Sequence, residues 1–176
     1  MAKENVNYLA YLVQTLRSME QRGVLLVTQG KQGKPNIMTI GWATAGVLWG
    51  KPCLIVLVRP SRHSHRLLEE SGEFTVNVLP GELAEVAEYC GKCSGRERDK
   101  FADCGVTALA AQKVKPPVIE ECIIHYECRV LHHNDILPLT LAEEVAASAY
   151  PEGDYHRLYY GEIVACYADQ EANMQL

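Results

Sequence analysis

The segment from Arg59 to Arg66 carries the side chains best suited to holding an anion. Its eight residues include three arginines, two histidines and two serines, and no acidic residue. The whole chain has 17 Lys and Arg against 22 Asp and Glu, a net charge of −5, so this basic density is unexpected. Helix amides, serine hydroxyls and guanidinium groups commonly bind phosphate. Two interpretations stay open: a site for a phosphorylated cofactor, or a solvated basic turn in which Ser61 or Ser64 caps a helix.

A second candidate is a strand predicted over Asn36 to Thr44. It holds small or polar groups at Thr39, Gly41, Ala43 and Thr44. A glycine inside a strand often marks the close approach of a ligand or of another backbone. A flat ring system could lie on this surface and accept hydrogen bonds from its amides. The alternative is a bulge or an ordinary packing contact at Gly41.

The cysteines offer a third candidate, because Cys90 and Cys93 form a Cys-x-x-Cys motif with Lys92 between them. A neighbouring cation lowers the pKa of a thiol, so a working dithiol is one hypothesis for this pair. The sequence contains no second Cys-x-x-Cys and no His-x-x-x-His, so the pair supplies half of a zinc site at most. We predict no metal site. Cysteines at apolar strand positions are predicted to be core residues: Cys53, Cys122, Cys128 and Cys166.

Composition limits the classes of protein and of partner. A chain of 176 residues with 48% hydrophobic residues is predicted to form one compact domain. Its negative charge gives no general attraction to nucleic acid or anionic lipid. The apolar run Cys53 to Val58 is far shorter than the roughly 20 residues that span a bilayer. We therefore predict a cytoplasmic protein without nucleic-acid or membrane partners. Neither a dinucleotide-binding Gly-x-Gly-x-x-Gly nor a phosphate-binding P-loop is present.

Hydrophobic periodicity predicts a mainly β protein. The predicted helices cover about residues 7–22, 64–71, 82–89 and 139–149, and the predicted strands cover 24–28, 36–44, 53–58, 74–79, 122–130 and 158–167. Gly30 to Pro35 should form a hairpin connection, and residues 90–100 should form an exposed loop. In the strand over 122–130, His125, Glu127 and Arg129 alternate with apolar residues and are expected to face water. The pattern favours an antiparallel barrel with peripheral helices over a doubly wound sheet.

Five short motifs, in this order, resemble the flavin reductase-like FMN-binding split-barrel family, and its flavoredoxin branch in particular. They are Asn36-x-Met38-Thr39 with Gly41, Arg59-Pro-Ser-Arg-His-Ser64, Phe74-x-Val-Asn77, Ser94-Gly-Arg96 with Asp99-Lys-Phe101, and His156-x-Leu-x-x-Gly-Glu-Ile163. Together they span about residues 23–168. The resemblance implies a split β-barrel with Greek-key antiparallel strands, one FMN per subunit, and a homodimer.

The resemblance also implies roles for individual residues. The segment around Asn36, Met38 and Thr39 would border the flavin ring, and Thr44 and Asn77 are further candidate cofactor-binding residues. The residues that would bind the phosphate are Arg59, Ser61, Arg62, His63 and Ser64. Ser94, Arg96 and Lys100 match a loop that approaches the cofactor. His156 matches a histidine near the hydride-exchanging face and is the candidate catalytic residue.

The function implied is that of an FMN-binding oxidoreductase, flavoredoxin-like or an NAD(P)H:flavin reductase. Its electron donor would be a reduced nicotinamide or a redox protein. A non-enzymatic dimeric module for another phosphorylated ligand is the alternative. The tyrosines near His156 could stack beside the cofactor, but a subunit interface is favoured because tyrosine is enriched there: Tyr150, Tyr155, Tyr159 and Tyr160.

Overall fold

The computed structural model describes residues 3–31, 33–170 and 172, which form mainly antiparallel sheet. The strands are β1 (Lys3–Asn5), β2 (Val24–Thr28), β3 (Asn36–Ile40), β4 (Ala43–Leu48), β5 (Lys51–Val58), β6 (Glu73–Val78), β7 (Ala108–Leu109), β8 (Val118–Ile119), β9 (Ile124–Asp135) and β10 (Arg157–Asp169). The large sheet has the order β3-β2-β6-β9-β10-β5-β4, and β1 pairs with β10. β7 and β8 form a separate small sheet.

The two ends of this strand order, β3 and β4, are joined only by Gly41 and Trp42. So short a connection holds the two edges close together, although no strand pairing joins them within the described ranges. The sheet therefore curls into a barrel that stays open along one seam. The single strand predicted over Asn36 to Thr44 is wrong. β3 ends at Ile40, and after Gly41 and Trp42 the chain continues as β4 on the opposite edge of the sheet.

The predicted hairpin between β2 and β3 is confirmed. Leu26 lies opposite Met38 in an antiparallel pair that runs from Val24 to Thr28. The connection between them includes Gln32, which lies outside the described residues. This hairpin places β3 at an edge of the sheet, where β2 is its strand partner among the residues described.

Helices surround the barrel: α1 (Leu12–Arg22), α2 (His63–Ser71), α3 (Ala84–Lys92), α4 (Lys100–Cys104) and α5 (Glu143–Ala149). All but α4 lie where periodicity predicts a helix. α4 is a single turn, too short for a 3.6-residue period to show in the sequence. In the described part of the chain, no helix is long and apolar enough to cross a membrane.

Apolar side chains pack in two clusters, one on each face of β2. The larger cluster fills the barrel around Phe74, Tyr126 and Tyr159, each at most 1% exposed. The smaller one lies between the outer face and α3, around Leu25 and Ile37. Burial on both faces explains why β2 is a continuous apolar run. The cysteines predicted as core residues are buried, as expected: Cys53, Cys122, Cys128 and Cys166.

The wet face predicted for β9 is wrong at two of its three positions. His125 and Glu127 are fully buried, and only Arg129 is exposed. The Glu127 carboxylate accepts hydrogen bonds from the backbone amides of Gln112 and Lys113 at 2.7 and 2.6 Å. The segment before β8 therefore covers this face, and its free amides provide the partners that a buried carboxylate requires.

Candidate functional site

Two adjoining cavities open at the seam, where β3, the end of β5 and the start of α2 meet. The seam cavity, about 200 Å³, is lined by Met38, Thr39, Ile40, Gly41, Trp42, Leu57, Arg59, Arg62 and His156. The basic cavity, about 120 Å³, is lined by Asn36, Met38, Ser61, Arg62, His63, Ser64, Cys90, Cys93, Ser94, Gly95, Arg96 and Lys100. Met38 and Arg62 line both. The structure thus brings all the predicted site residues together except Thr44 and Asn77.

The basic cavity concentrates positive charge in an acidic molecule. Its lining within the described residues includes Arg62, His63, Arg96 and Lys100 but no carboxylate. The chain as a whole carries a net charge of −5. An acid-free cluster of cationic donors is suited to binding an anion with several acceptor oxygens.

The start of α2 contributes to this cavity as well. Arg62 is the residue before the helix, and no side chain among the described residues caps the first amides. Ser64 is fully buried, and its Oγ accepts a hydrogen bond from Asn36 Nδ2 at 2.9 Å. The Ser61 hydroxyl donates to Asp154 at 2.5 Å. Neither serine caps α2, so the capping interpretation of the basic cluster is wrong, and the positive end of the helix faces the cavity uncapped.

The Lys100 ammonium group lies at the base of the basic cavity, with 4% of the residue exposed. Nζ donates to the backbone carbonyls of Ile37 and Cys90, both at 2.8 Å. No carboxylate pairs with it in the described part of the chain, and burial lowers its pKa. A buried cation without a counter-charge is costly. An anion bound in the cavity would offset that cost.

Two further groups in the basic cavity lack partners. The guanidinium of Arg62 makes no hydrogen bond or ion pair with the residues described, although it lines both cavities. His63 Nδ1 is buried and is likewise without a partner there. Burial lowers the pKa of His63, and the charges of Arg66 and Arg96 act in the same direction. Both groups are therefore available to a ligand.

The loop between α3 and α4 closes the basic cavity from the other side. Arg96 Nη1 donates to the backbone carbonyl of Ser61 at 2.9 Å, which ties this loop to the start of α2. Gly95 packs so closely that a Cβ atom there would overlap the Asn36 side chain and press on His63. Any side chain at residue 95 would therefore force either the loop or the Asn36 side chain to move.

The seam cavity combines an apolar floor with one histidine. His156 Nδ1 is hydrogen-bonded to the hydroxyl of Tyr150 at 2.8 Å, and its ring lies 5.0 Å from that of Trp42. Burial, assisted by the charge of Arg59, lowers the pKa of His156 to about 4. The imidazole is therefore neutral at neutral pH, and its second nitrogen is left for whatever occupies the cavity.

Other predicted residues line the cavities with their polar groups already engaged. Thr39 Oγ1 donates to the backbone carbonyl of Ala87. Arg59 donates to the carbonyl of Ala149 at 2.9 Å and lies over the ring of Tyr150. These side chains shape the walls, and they have fewer free donors than Arg62 and Lys100.

Two predicted residues lie elsewhere. Thr44 is exposed on β4, and neither cavity includes it. Asn77 is fully buried, and its Oδ1 accepts from the Ile119 amide at 3.2 Å and from His125 Nδ1 at 2.8 Å. Its side chain holds β8 against the sheet and does not reach the cavities.

Sequence reasoning missed three contributors to the site. Trp42 and Leu57 line the seam cavity, and Tyr150 orients His156. For Tyr150 the sequence favours a subunit interface over a position beside the cofactor, but the residue is 4% exposed within one chain. The position of Trp42 could be found only by knowing that the strand breaks at Gly41.

The Cys-x-x-Cys motif differs from its predicted form. Lys92 pairs with Glu88 on the surface of α3, so its charge is not directed at a thiol. Burial raises the pKa of Cys90 to about 12, the opposite of activation. The sulfur atom of Cys90 lies 3.9 Å from that of Cys104, a residue outside the motif. No cluster of three potential metal ligands occurs among the described residues.

Comparison with known sequences places this geometry in a family context. The model of the flavin reductase like domain matches residues 16–176. An uncharacterized protein of Archaeoglobus fulgidus is 36% identical over 164 residues, which cover 93% of this chain and 78% of that protein. The Escherichia coli protein YddH, also uncharacterized, is 31% identical over 83% of this chain and 69% of its own length.

Solved structures agree. A flavoredoxin from Methanosarcina acetivorans is 26% identical, with a TM-score of 0.68 over 97% of this chain and 77% of that one. Flavoredoxin of Desulfovibrio vulgaris is 25% identical, with a TM-score of 0.67 over 84% of this chain and 69% of that one. The NADH:FAD oxidoreductase SgcE6 of Streptomyces globisporus shares the fold at 20% identity, with a TM-score of 0.64 over 94% and 87% of the two chains. The predicted antiparallel split barrel with peripheral helices is confirmed.

Proposed function

The chain belongs to the flavin reductase-like domain family, and on this premise we propose that it binds FMN across the two cavities and acts as an oxidoreductase. The basic cavity would take the phosphate and the seam cavity the ring. When bound, the flavin supplies the redox chemistry, while the protein binds it, orients it and controls access to it.

The buried, unpaired ammonium of Lys100 is the observation that carries this proposal. Burial of a cation with only carbonyl partners is costly unless an anion completes the site. The uncapped start of α2, the free Arg62 guanidinium and the adjacent Arg96 converge on the same cavity. A phosphate monoester has the charge and the number of acceptors to satisfy them together.

The seam cavity supports the placement of a flat ring. Met38 and Leu57 provide apolar surface, and β3 is a sheet edge on whose outer side no strand pairs within the described ranges. Backbone groups on such an edge can hydrogen-bond to the polar edge of a ring while the apolar surface packs against its face. A neighbouring structure, the FMN-binding protein from Thermus thermophilus, is described with bound 1-cyclohex-2-enone.

We assign His156 to the handling of the second reactant. Because Nδ1 is bonded to Tyr150, the neutral ring presents Nε2 to the cavity as a hydrogen-bonding group. It would position the electron donor or acceptor over the ring without itself carrying charge. The proposed donor is NAD(P)H or a redox protein, consistent with the NADH:FAD oxidoreductase that shares this fold.

The proposal includes a homodimer. Val47 and Trp49 on the β4–β5 hairpin are each 64% exposed, and Leu131 on β9 is 40% exposed. The ring of Trp49 also lies about 6 Å from the rings of His132 and Tyr160, which extend this surface. Large apolar side chains in this arrangement are typical of an interface.

Flavin titration of Lys100→Met tests the assignment. We expect the full chain to bind FMN more tightly than riboflavin, which lacks the phosphate. Lys100→Met should weaken FMN binding about 10-fold or more, because the contact with the anion is lost. It also removes the hydrogen bonds to the carbonyls of Ile37 and Cys90, and riboflavin binding that stays nearly unchanged shows that the rest of the site is intact. Fluorescence quenching measures both affinities.

Lys115→Met is the matched control, since Lys115 is exposed outside both cavities. Equal affinity for FMN and riboflavin in the unmodified protein would contradict the phosphate assignment. Retention of a different phosphorylated ligand, identified by mass spectrometry after denaturation, without NADH oxidation when FMN is added, would favour a binding module over an oxidoreductase.

A further inference from the structure

Two cysteines meet below the basic cavity. The Sγ atoms of Cys90 and Cys104 are 3.9 Å apart, in van der Waals contact. Cys90 lies in the last turn of α3 and is buried, whereas Cys104 is the last residue of α4 and is half-buried. The pair therefore joins the ends of two short helices, with one thiol within reach of solvent.

The chain between these cysteines forms one wall of the basic cavity. It includes Ser94, Gly95, Arg96 and Lys100, all of which line that cavity. Lys100 is also anchored to Cys90 through the backbone carbonyl, at 2.8 Å. A covalent link between the two sulfur atoms would close this loop into a ring and hold its cationic side chains in place.

We propose that Cys90 and Cys104 are a redox modification site, at which a small-molecule disulfide oxidises the pair to a disulfide that clamps the loop between α3 and α4. The half-buried Cys104, as the thiolate, attacks the small disulfide, forms a mixed disulfide and releases one small thiol. Cys90 then attacks the Cys104 sulfur and displaces the second small thiol. One protein dithiol and one disulfide thus become one protein disulfide and two thiols.

Geometry favours this pairing over the Cys90–Cys93 pairing that the motif suggests. The sulfur atoms of Cys90 and Cys104 are already in contact and need only close to the bonded distance of about 2.0 Å. Their helices are short, and α4 is a single turn, so a small movement suffices. Burial raises the pKa of both thiols, so exchange is slow at neutral pH and the end point, not the rate, is the quantity to measure.

Peptide mapping of the full chain after incubation with excess cystamine tests the pairing. Trypsin cuts after Arg66, Lys92, Arg96, Lys100 and Lys113, so Cys90, Cys93 and Cys104 fall on separate peptides. We expect residues 67–92 to be linked to residues 101–113, with the loss of two hydrogens. A link between residues 67–92 and 93–96, or complete absence of a link at the end point, would overturn the proposal.

Thermal unfolding tests the clamp. A disulfide that closes a loop of this size should raise the unfolding midpoint by about 6–12 °C, and dithiothreitol should reverse the shift. Cys93→Ser should keep the shift and Cys104→Ser should lose it. A mapped link without a rise in the midpoint would overturn the clamping role. Neither peptide mapping nor thermal unfolding requires flavin, so failure of this proposal can be distinguished from failure of the proposed function.

Discussion

The cationic side chains around the two cavities differ in how far the protein already uses them. Arg59 donates to a backbone carbonyl and lies over Tyr150, and Arg96 is bonded to Ser61. Arg62 has no bonding partner among the residues described, and Lys100 has only carbonyls. Ligand binding can gain most where the free protein satisfies a charge least. Arg62 and Lys100 are therefore the residues whose charge should matter most to an anion.

Tyr150 acts through His156, so its hydroxyl should affect turnover more than flavin binding. Tyr150→Phe removes the partner of His156 Nδ1 and lets the imidazole rotate away from the position that serves the second reactant. We expect NADH-dependent turnover to fall about 5-fold, the value of one hydrogen bond of about 1 kcal/mol. FMN affinity should stay within about 2-fold, since the tyrosine hydroxyl does not line either cavity.

The matched control is Tyr155→Phe, because that ring stacks on Tyr150 at 4.7 Å without a hydrogen bond to His156 among the described residues. Steady-state kinetics at saturating flavin separate the two effects. Equal loss of turnover in both variants, or loss of FMN affinity in Tyr150→Phe alone, would show that the hydroxyl has a different role.

At the scale of elements, the loop between α3 and α4 matters because it must lie close to Asn36. Gly95→Ala places a Cβ where the Asn36 side chain lies, so either the loop or Asn36 must move. We expect FMN affinity to fall about 10-fold, because Arg96 and the loop backbone lose their position over the phosphate. Riboflavin affinity should change little. Isothermal titration calorimetry gives both constants.

Gly33→Ala serves as the control for that substitution. A Cβ at Gly33 meets no atom within 4 Å, and its backbone conformation is one that alanine adopts. If both alanine variants bind FMN as the unmodified protein does, the loop does not hold the phosphate.

Most strands and helices could be predicted because each has a period that burial imposes on the sequence. The two wrong strand assignments share one cause. At Gly41 the chain passes between sheet edges, and at His125 and Glu127 a distant segment covers the face, so in both cases the decisive contact is tertiary. The alternation in β9 correctly gives the two faces, but it cannot tell a face covered by a loop from one covered by water.

The same limit applies to the site. The density of basic residues in Arg59 to Arg66 is visible in the sequence as charge without local compensation, and the structure has a cavity lined by residues of this segment. That the cavity binds an anion stays a prediction. The burial of Lys100 was not visible, because it depends on carbonyls of Ile37 and Cys90 from two other elements. Asn77 is a polar strand residue of the kind that binds a ligand, but its side chain is hydrogen-bonded to Ile119 and His125, away from the two cavities.

For the molecule as a whole, the net charge is negative, opposite in sign to the side chains that line the basic cavity. A net charge of −5 repels anions at long range, whereas the cavity attracts them at contact. Such repulsion is screened beyond about 10 Å at an ionic strength of 0.1 M, while buried groups are screened much less. If the proposed function holds, selectivity for a phosphorylated ligand depends on the close contacts with Arg62 and Lys100, because the net charge provides no general attraction to polyanions.

The stability of the whole molecule should depend on pH through His125. Burial lowers the pKa of this histidine to about 3, and its Nε2 has no partner among the described residues. The groups around it are Asn77, hydrogen-bonded to Nδ1, and the ring of Tyr167 at 5.0 Å, with Lys3 adding an unfavourable charge. The backbone of Cys122 favours the imidazolium ion, but burial outweighs this contribution and the pKa is lowered.

In the unfolded chain His125 is protonated below its ordinary pKa of 6.5, whereas in the folded chain it stays neutral down to about pH 3. The free energy of unfolding should therefore be unaffected by this group above pH 6.5 and fall by about 1.4 kcal/mol per pH unit below it. His125→Gln should lower the slope of the unfolding free energy against pH by the contribution of one proton, even if the variant is less stable overall. His132 is exposed on β9, so His132→Gln should keep the slope of the unmodified chain. Urea unfolding at several pH values between 4 and 7.5 measures the slope, and identical slopes in the unmodified chain and His125→Gln would mean that His125 is solvated in the native state.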